Sequence, residues 1–269
     1  MKTEFLSMRS FVAALVVALS TPAAHGAPAQ PEAVDQAPDP DSPEFVDYVM
    51  RRFDDLYRGE RSHSLLEMRV KTEHWKRAMA MEGWSLGTEY SLIRILAPKK
   101  ERGTATLKAK EDLFTYLNKT GRTIKITGGM MGGSWMGSHF TNDDLVRESR
   151  FSEDYDIKKT ATKVVDGNPV YTFTAIPKPN AAVVWGKVEI VVRHDLLPMG
   201  QAFFDEDGRK VKELEFSDFR EMAGRMLPSR MIMHPLDKPG EYTEIIYKTI
   251  EFGVDLDKTF FTLQRLKSM

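Results

Sequence analysis

From Leu66 onward the chain alternates apolar and polar residues with a period of two. Leu66, Met68 and Val70 interleave with Glu67, Arg69 and Lys71, and Val184, Val188, Ile190 and Val192 share a face opposite Lys187, Glu189 and Arg193. That is the pattern of half-buried β-strands. Comparable runs predict strands at 76–84, 90–96, 103–109, 111–117, 122–126, 151–164, 169–176, 198–204, 210–217, 229–233 and 242–252. Turn signals separate many of them: Asp166-Gly167-Asn168-Pro169, Asp205-Glu206-Asp207-Gly208 and Lys119-Thr120-Gly121. Parallel strands need long crossover connections, for which this spacing leaves no room. The expectation is a mainly β fold, a curved antiparallel sheet forming a half-open, unclosed β-barrel. Short strands without aromatic girdles argue against an aqueous membrane pore.

Before the strands the period changes. Ser42 is placed to cap a helix, Pro43 suits its first position, and Phe45, Val49, Phe53 and Leu56 recur at helical spacing until Gly59. Shorter helical pieces are predicted near 141–148, 218–226 and 257–266, as a lid over the mouth or concave face. No internal repeat is visible, so residues 43–269 read as one domain.

The N-terminus has another character. Lys2 and Arg9 precede an apolar run from Phe11 to Leu19, followed by Ala24-His25-Gly26. This predicts a secretory signal peptide over 1–26, cleaved after Gly26. The apolar run falls short of the roughly 20 residues that a membrane span needs. Residues 27–42 are rich in Pro, Ala and Asp and have almost nothing to bury, which predicts a disordered linker.

Composition narrows the function. There is no cysteine, which excludes disulfides, thiolate metal sites, a cysteine nucleophile and anchoring through a lipidated cysteine. A net charge of −1 over 269 residues gives no general case for nucleic acid, which selects a clustered excess of Lys and Arg.

Catalytic motifs fail on inspection. Gly132 and Ser134 begin a nucleophile elbow, but Met136 stands where its last glycine belongs. Gly128 and Gly133 have phosphate-loop spacing, yet Ser134 replaces the lysine. His63, His74, His139, His194 and His234 show no metal-site spacing. Thr141-Asn142-Asp143-Asp144 reads as a helix N-terminus rather than an acid pair for catalysis or calcium. We expect no catalytic residue, metal or cofactor. A periplasmic hydrolase using Ser134, Asp143 or Asp144 is the competing reading, and a module that pairs through an exposed strand edge is another.

What remains points to binding. Fifteen methionines are many for this length, and Met side chains adapt to apolar ligands of varied shape. The candidate cavity residues are Met68, Val70, Met79, Met81, Trp84, Phe114, Tyr116, Met131, Trp135, Met136, Phe140, Met231 and Met233, with Met130 beside them. Core packing would equally call for each of them.

One segment carries a family likeness. In Gly128–Arg150, GGMMGGSWMGSHFTNDDLVRESR, flexible glycines carry Met130, Met131, Trp135 and Met136 just before an acidic turn. It resembles the signature of the LolA-like outer-membrane lipoprotein-sorting proteins. Weaker likenesses are Glu111-Asp112-Leu113-Phe114-Thr115-Tyr116-Leu117 and Lys258-Thr259-Phe260-Phe261-Thr262 with Leu263 and Leu266. Asn118 stands where the family commonly has proline, and His139 where it usually has an acid. The resemblance implies a non-enzymatic, monomeric carrier in the Gram-negative periplasm. It implies acyl chains of lipoproteins or lipids as cargo. It also implies an inner-membrane transporter of the resistance-nodulation-division type and an outer-membrane acceptor as partners.

Overall fold

The computed structural model describes residues 37–147, 154–179, 181 and 183–268. The signal peptide expected at 1–26 and most of the expected linker lie outside the described residues. The first helix, α1, spans Glu44–Asp55. It begins one residue later than the sequence suggests. Pro43 occupies the cap position without a side-chain hydrogen bond, and Ser42 contributes its backbone carbonyl to Phe45 N.

Thirteen strands follow. They are β1 Arg61–Lys71, β2 Lys76–Leu86, β3 Tyr90–Ala97, β4 Ala105–Ala109, β5 Asp112–Leu117, β6 Arg122–Ile126, β7 Tyr155–Val165, β8 Asn168–Pro177, β9 Lys187–Arg193, β10 Pro198–Phe204, β11 Lys210–Met222, β12 Arg225–Pro235 and β13 Tyr242–Phe252. A short helix, α2 (Asn142–Arg147), lies between β6 and β7, and another, α3 (Leu263–Ser268), follows β13.

All thirteen strands form one sheet in the order β6-β5-β4-β3-β2-β1-β13-β12-β11-β10-β9-β8-β7. The chain meanders outward from β1 to β6, crosses, and meanders back from β7 until β13 pairs antiparallel with β1. The edges β6 and β7 are therefore consecutive in sequence yet at opposite ends of the sheet. The described part of their connection up to residue 147 carries the Gly–Met segment from Gly128 to Arg147. Register shifts interrupt the pairing at Leu65/Leu66, Ala80/Met81, Lys159/Ala161, Pro198/Gly200 and Phe203/Phe204. Each bulge bends its strand and adds twist, which curls the sheet into the open barrel that the alternation predicts.

The helix expected at 218–226 is not formed. Phe219, Arg220, Glu221 and Met222 pair with Pro228, Leu227, Met226 and Arg225. Ala223 and Gly224 turn the chain at φ 49° and 78°, the left-handed pair that suits a two-residue hairpin. Arg220, Glu221, Met222 and Ala223 are good helix formers, but the cross-strand pairing overrides that local preference.

Two faces are buried. On one, α1 lies against the β7–β13 half: Phe45 meets Tyr171 edge-on at 5.1 Å, Phe53 meets Phe216 at 6.1 Å, and Tyr57 stacks on Tyr247 at 4.6 Å. On the opposite face of β3–β5, α3 and the turn before it bury Phe261 and Leu266 with Leu92, Leu107 and Tyr116.

Candidate functional site

The Gly–Met segment crosses the face that α1 covers. Trp135, 3% exposed, donates from Nε1 to Thr106 Oγ1 of β4 at 3.1 Å. Arg77 of β2 donates from Nη2 to the carbonyl of Met136. Met136 and Gly137 are held at φ 48° and 69°, and a Cβ on Gly137 would sit 3.3 Å from Arg77 Nη2. His139 is fixed at three atoms: its backbone N donates to Thr243 Oγ1 at 2.9 Å, its Nδ1 lies 2.8 Å from the same oxygen, and its Nε2 lies 2.9 Å from Glu241 Oε2. Glu241 has its carboxyl held below the usual carboxylate range by the backbone N–H of Glu73 first and by His139 second.

The segment ends in a reciprocal cap. Thr141 N donates to Asp144 Oδ2 at 2.7 Å, and Asp144 N donates to Thr141 Oγ1 at 3.2 Å. This is a capping-box arrangement with Asp in the usual Glu place. Asp144 Oδ2 also accepts from Lys212 Nζ of β11 at 2.7 Å. Lys212 is buried, its ammonium 4.3 Å from the Trp185 ring centroid and 4.7 Å from that of Phe203. Burial pushes its pKa down despite the opposing attraction of Asp144.

Beneath these ties lie most of the candidate cavity residues. Met68 and Val70 of β1, Met79 and Met81 of β2, and Met231 and Met233 of β12 form one buried cluster with Trp135 and Phe140, and Met136 packs against it. Met131 sits nearby with Leu113 and Ile126, next to the β6 edge. Trp84, Phe114 and Tyr116 do not join them. Leu107 pairs with Leu92 and with Phe114, and Leu92 with Trp84, so these side chains share one face. Thr106, the partner of Trp135, points to the other. Tyr116 pairs with Ala105 on the Trp84 side. Trp84 accordingly stacks on His63 at 5.3 Å and meets Phe260 at 5.3 Å.

Several residues of the covered face escape a reading by strand pattern. Phe45, Val49 and Met50 of α1 fill the concavity. Lys212 looks like an exposed strand cation in sequence. Ser62 and Ser64 could have been found, since they share parity with Leu66, Met68 and Val70. With Ser85, Ser91, Trp84 and Tyr247 of the sheet they line a cavity of about 120 Å³ that Phe53, Tyr57 and Leu145 also border. Ser62 and Ser85 hydroxyls lie 2.7 Å apart at its floor.

The groups considered for catalysis are otherwise engaged. Ser134 donates its hydroxyl to the carbonyl of Ser138, and Asp144 serves the cap and Lys212. Among the described residues no cluster of three His, Asp or Glu is arranged to hold a metal ion, and no helix is long and apolar enough to cross a membrane.

An unclosed antiparallel barrel with an apolar concave face under a helix and a crossing segment defines a LolA-like architecture. A family model described as "Uncharacterized protein" matches residues 87–268, and the chain belongs to that family. Three crystal structures share the fold. A DUF1329 family protein from Desulfovibrio piger has a TM-score of 0.74 at 23% identity, covering 81% of this chain and 96% of that one. An outer membrane lipoprotein-sorting protein domain from Vibrio parahaemolyticus has a TM-score of 0.72 at 23% identity, covering 82% and 97%. A LolA superfamily protein from Nitrosomonas europaea has a TM-score of 0.69 at 22% identity, covering 81% and 97%. No curated protein matches the chain.

Proposed function

We propose that the protein is a periplasmic, non-enzymatic carrier that shields acyl chains of lipids or lipoproteins on its concave face and delivers them toward the outer membrane. One observation carries this reading: a methionine-rich face of an unclosed sheet is covered by α1 and the Gly–Met segment rather than by further strands. Ligand sites for molecules of modest size are about 300–1,000 Å³, and the cavity under α1 is about 120 Å³. Cargo therefore enters by displacing the cover, and the side chains that now fill the concavity are replaced by methylenes. Each buried methylene contributes about 0.8 kcal/mol, so a long chain offsets much of the free energy needed to lift the cover.

A transporter of the resistance-nodulation-division type as donor and an outer-membrane acceptor complete the proposed route, with the carrier acting as a monomer. The experiment is a titration with a fluorescent fatty acid, followed by displacement with phospholipid or with an acylated peptide. Saturable uptake that either competitor reverses supports the carrier, and which competitor acts names the cargo class. Absence of uptake at concentrations that saturate a known lipid carrier overturns it. Ser134→Ala and Asp143→Ala variants separate this reading from a hydrolase: a carrier retains ligand binding with no turnover to lose, whereas a hydrolase loses its turnover of the bound lipid.

A further inference from the structure

We propose that the rim formed by the β1–β2, β3–β4 and β5–β6 turns docks on the anionic headgroup surface of a phospholipid bilayer. These strands are consecutive in the sheet, and alternate turns of an antiparallel meander lie at one end of it. The first turn carries Lys71, Lys76 and Arg77, the second Lys99, Lys100 and Arg102, and the third Lys119 and Arg122. Against them stand only Glu73 and Glu101 in the same three segments, although the whole chain has a net charge of −1.

The three turns form one continuous surface. Arg77 Nη1 lies 3.3 Å from Glu101 Oε2, joining the first turn to the second. Asn118 Nδ2 donates to the carbonyl of Arg102 at 2.9 Å, joining the second to the third. Lys76, Lys99, Lys100, Arg102, Lys119 and Arg122 are exposed. The polarity is local to this half of the rim. The adjoining turn at 236–241 adds Asp237 and Glu241 against Lys238, and the turn at 205–209 carries Asp205, Glu206 and Asp207 against Arg209.

Two further features fit a bilayer rather than a second protein. Trp75, which closes the first turn opposite Thr72, is 42% exposed with the Arg77 guanidinium 5.3 Å from its ring centroid. An exposed indole among cations is the pairing favoured at a membrane–water interface. Beside it a groove of about 330 Å³ is lined by Arg69, Lys71, Lys76, Ala78 and Tyr242. Lys71 Nζ sits 5.8 Å from the Tyr242 ring centroid. The groove offers cations and an aromatic wall to a phosphate-bearing headgroup. Clustered Lys and Arg are attracted to anionic lipid within a Debye length of the surface.

Where the protein lands is independent of what it carries. The test is co-sedimentation of the full chain with phosphatidylcholine vesicles, and with vesicles half of phosphatidylglycerol, at low and high salt. The expected result is binding to the anionic vesicles alone, weakened at least about tenfold by high salt or by the combined change Lys99→Glu, Lys100→Glu and Lys119→Glu. Trp75→Ala is expected to weaken it less. Lys158→Glu with Lys163→Glu, on β7, should leave it unchanged. Equal binding to neutral vesicles, no binding at low salt, or a triple variant that binds as the parent does would overturn the proposal. So would release of vesicles by inorganic phosphate at an ionic strength where chloride does not release them, which would assign the groove to a free anion.

Discussion

The Trp135 indole and the Thr106 hydroxyl meet 3.1 Å apart in a buried hydrogen bond that ties the Gly–Met segment to the middle of the β1–β6 half-sheet. Trp135 is also packed among the core methionines, so it anchors the segment in two ways. Replacing it with Ala removes a large buried side chain and leaves a cavity, at a cost of about 3–5 kcal/mol. Thr106→Val removes the hydroxyl alone and leaves the indole N–H without its partner, at a cost of about 1–3 kcal/mol. Urea unfolding followed by circular dichroism measures both, and the Trp135 loss should be the larger.

Lys212 and Asp144 make a second anchor of different chemistry. Removing one member of a buried pair leaves a charge uncompensated, typically at a cost of about 3–5 kcal/mol, whereas removing both charges with apolar or neutral groups is often neutral. Lys212→Met should therefore destabilise strongly, and Lys212→Met combined with Asp144→Asn should recover most of the loss while keeping an acceptor for Thr141 N. A double-mutant cycle in urea measures this coupling.

The same lysine sets a pH signature at the alkaline end. Its folded pKa is pushed below the ordinary 10.5 by burial, with Asp144 opposing. Between the depressed value and 10.5 the unfolded chain binds more protons, so this group makes stability rise with pH across that window. Lys212→Met should remove that rise, which is read by comparing the slopes of stability against pH in the parent and the variant.

Glu241 acts at the acid end. Its folded pKa is lowered by the Glu73 N–H and by His139. Its contribution is present above its ordinary 4.5 and is lost as pH falls through the depressed folded value. The His139 contact loosens over that acid window. Amide exchange across residues 138–141 should accelerate there more than in β13, and Glu241→Gln should flatten the difference.

The strand pattern could be read from sequence because its cause is local. Val188, Ile190 and Val192 face the core and their neighbours do not, and the sheet places all three fully buried. The pairing of β13 with β1 is a long-range closure that no local window contains. Trp84 was harder for another reason. Both faces of β3–β5 are covered, one by the Gly–Met segment and the other by α3, so apolar residues of either parity look alike in sequence. Only the register, with Gly83 opposite Ile93 and Trp84 opposite Leu92, separates them. Phe219 to Met226 misled because helix propensity is local and the β12 pairing is not. Lys212 gave no signal, since a lysine in an alternating strand is ordinarily exposed.

A carrier of this kind must exchange its own cover for acyl chains on the concave face, and native mass spectrometry of the protein purified from its membrane compartment tests that most directly. The predicted result is a population carrying lipid mass, released by organic extraction, and absent from a Met81→Asp variant whose circular dichroism matches the parent. A bare-chain mass that persists after incubation with both lipids and acylated peptides would contradict it.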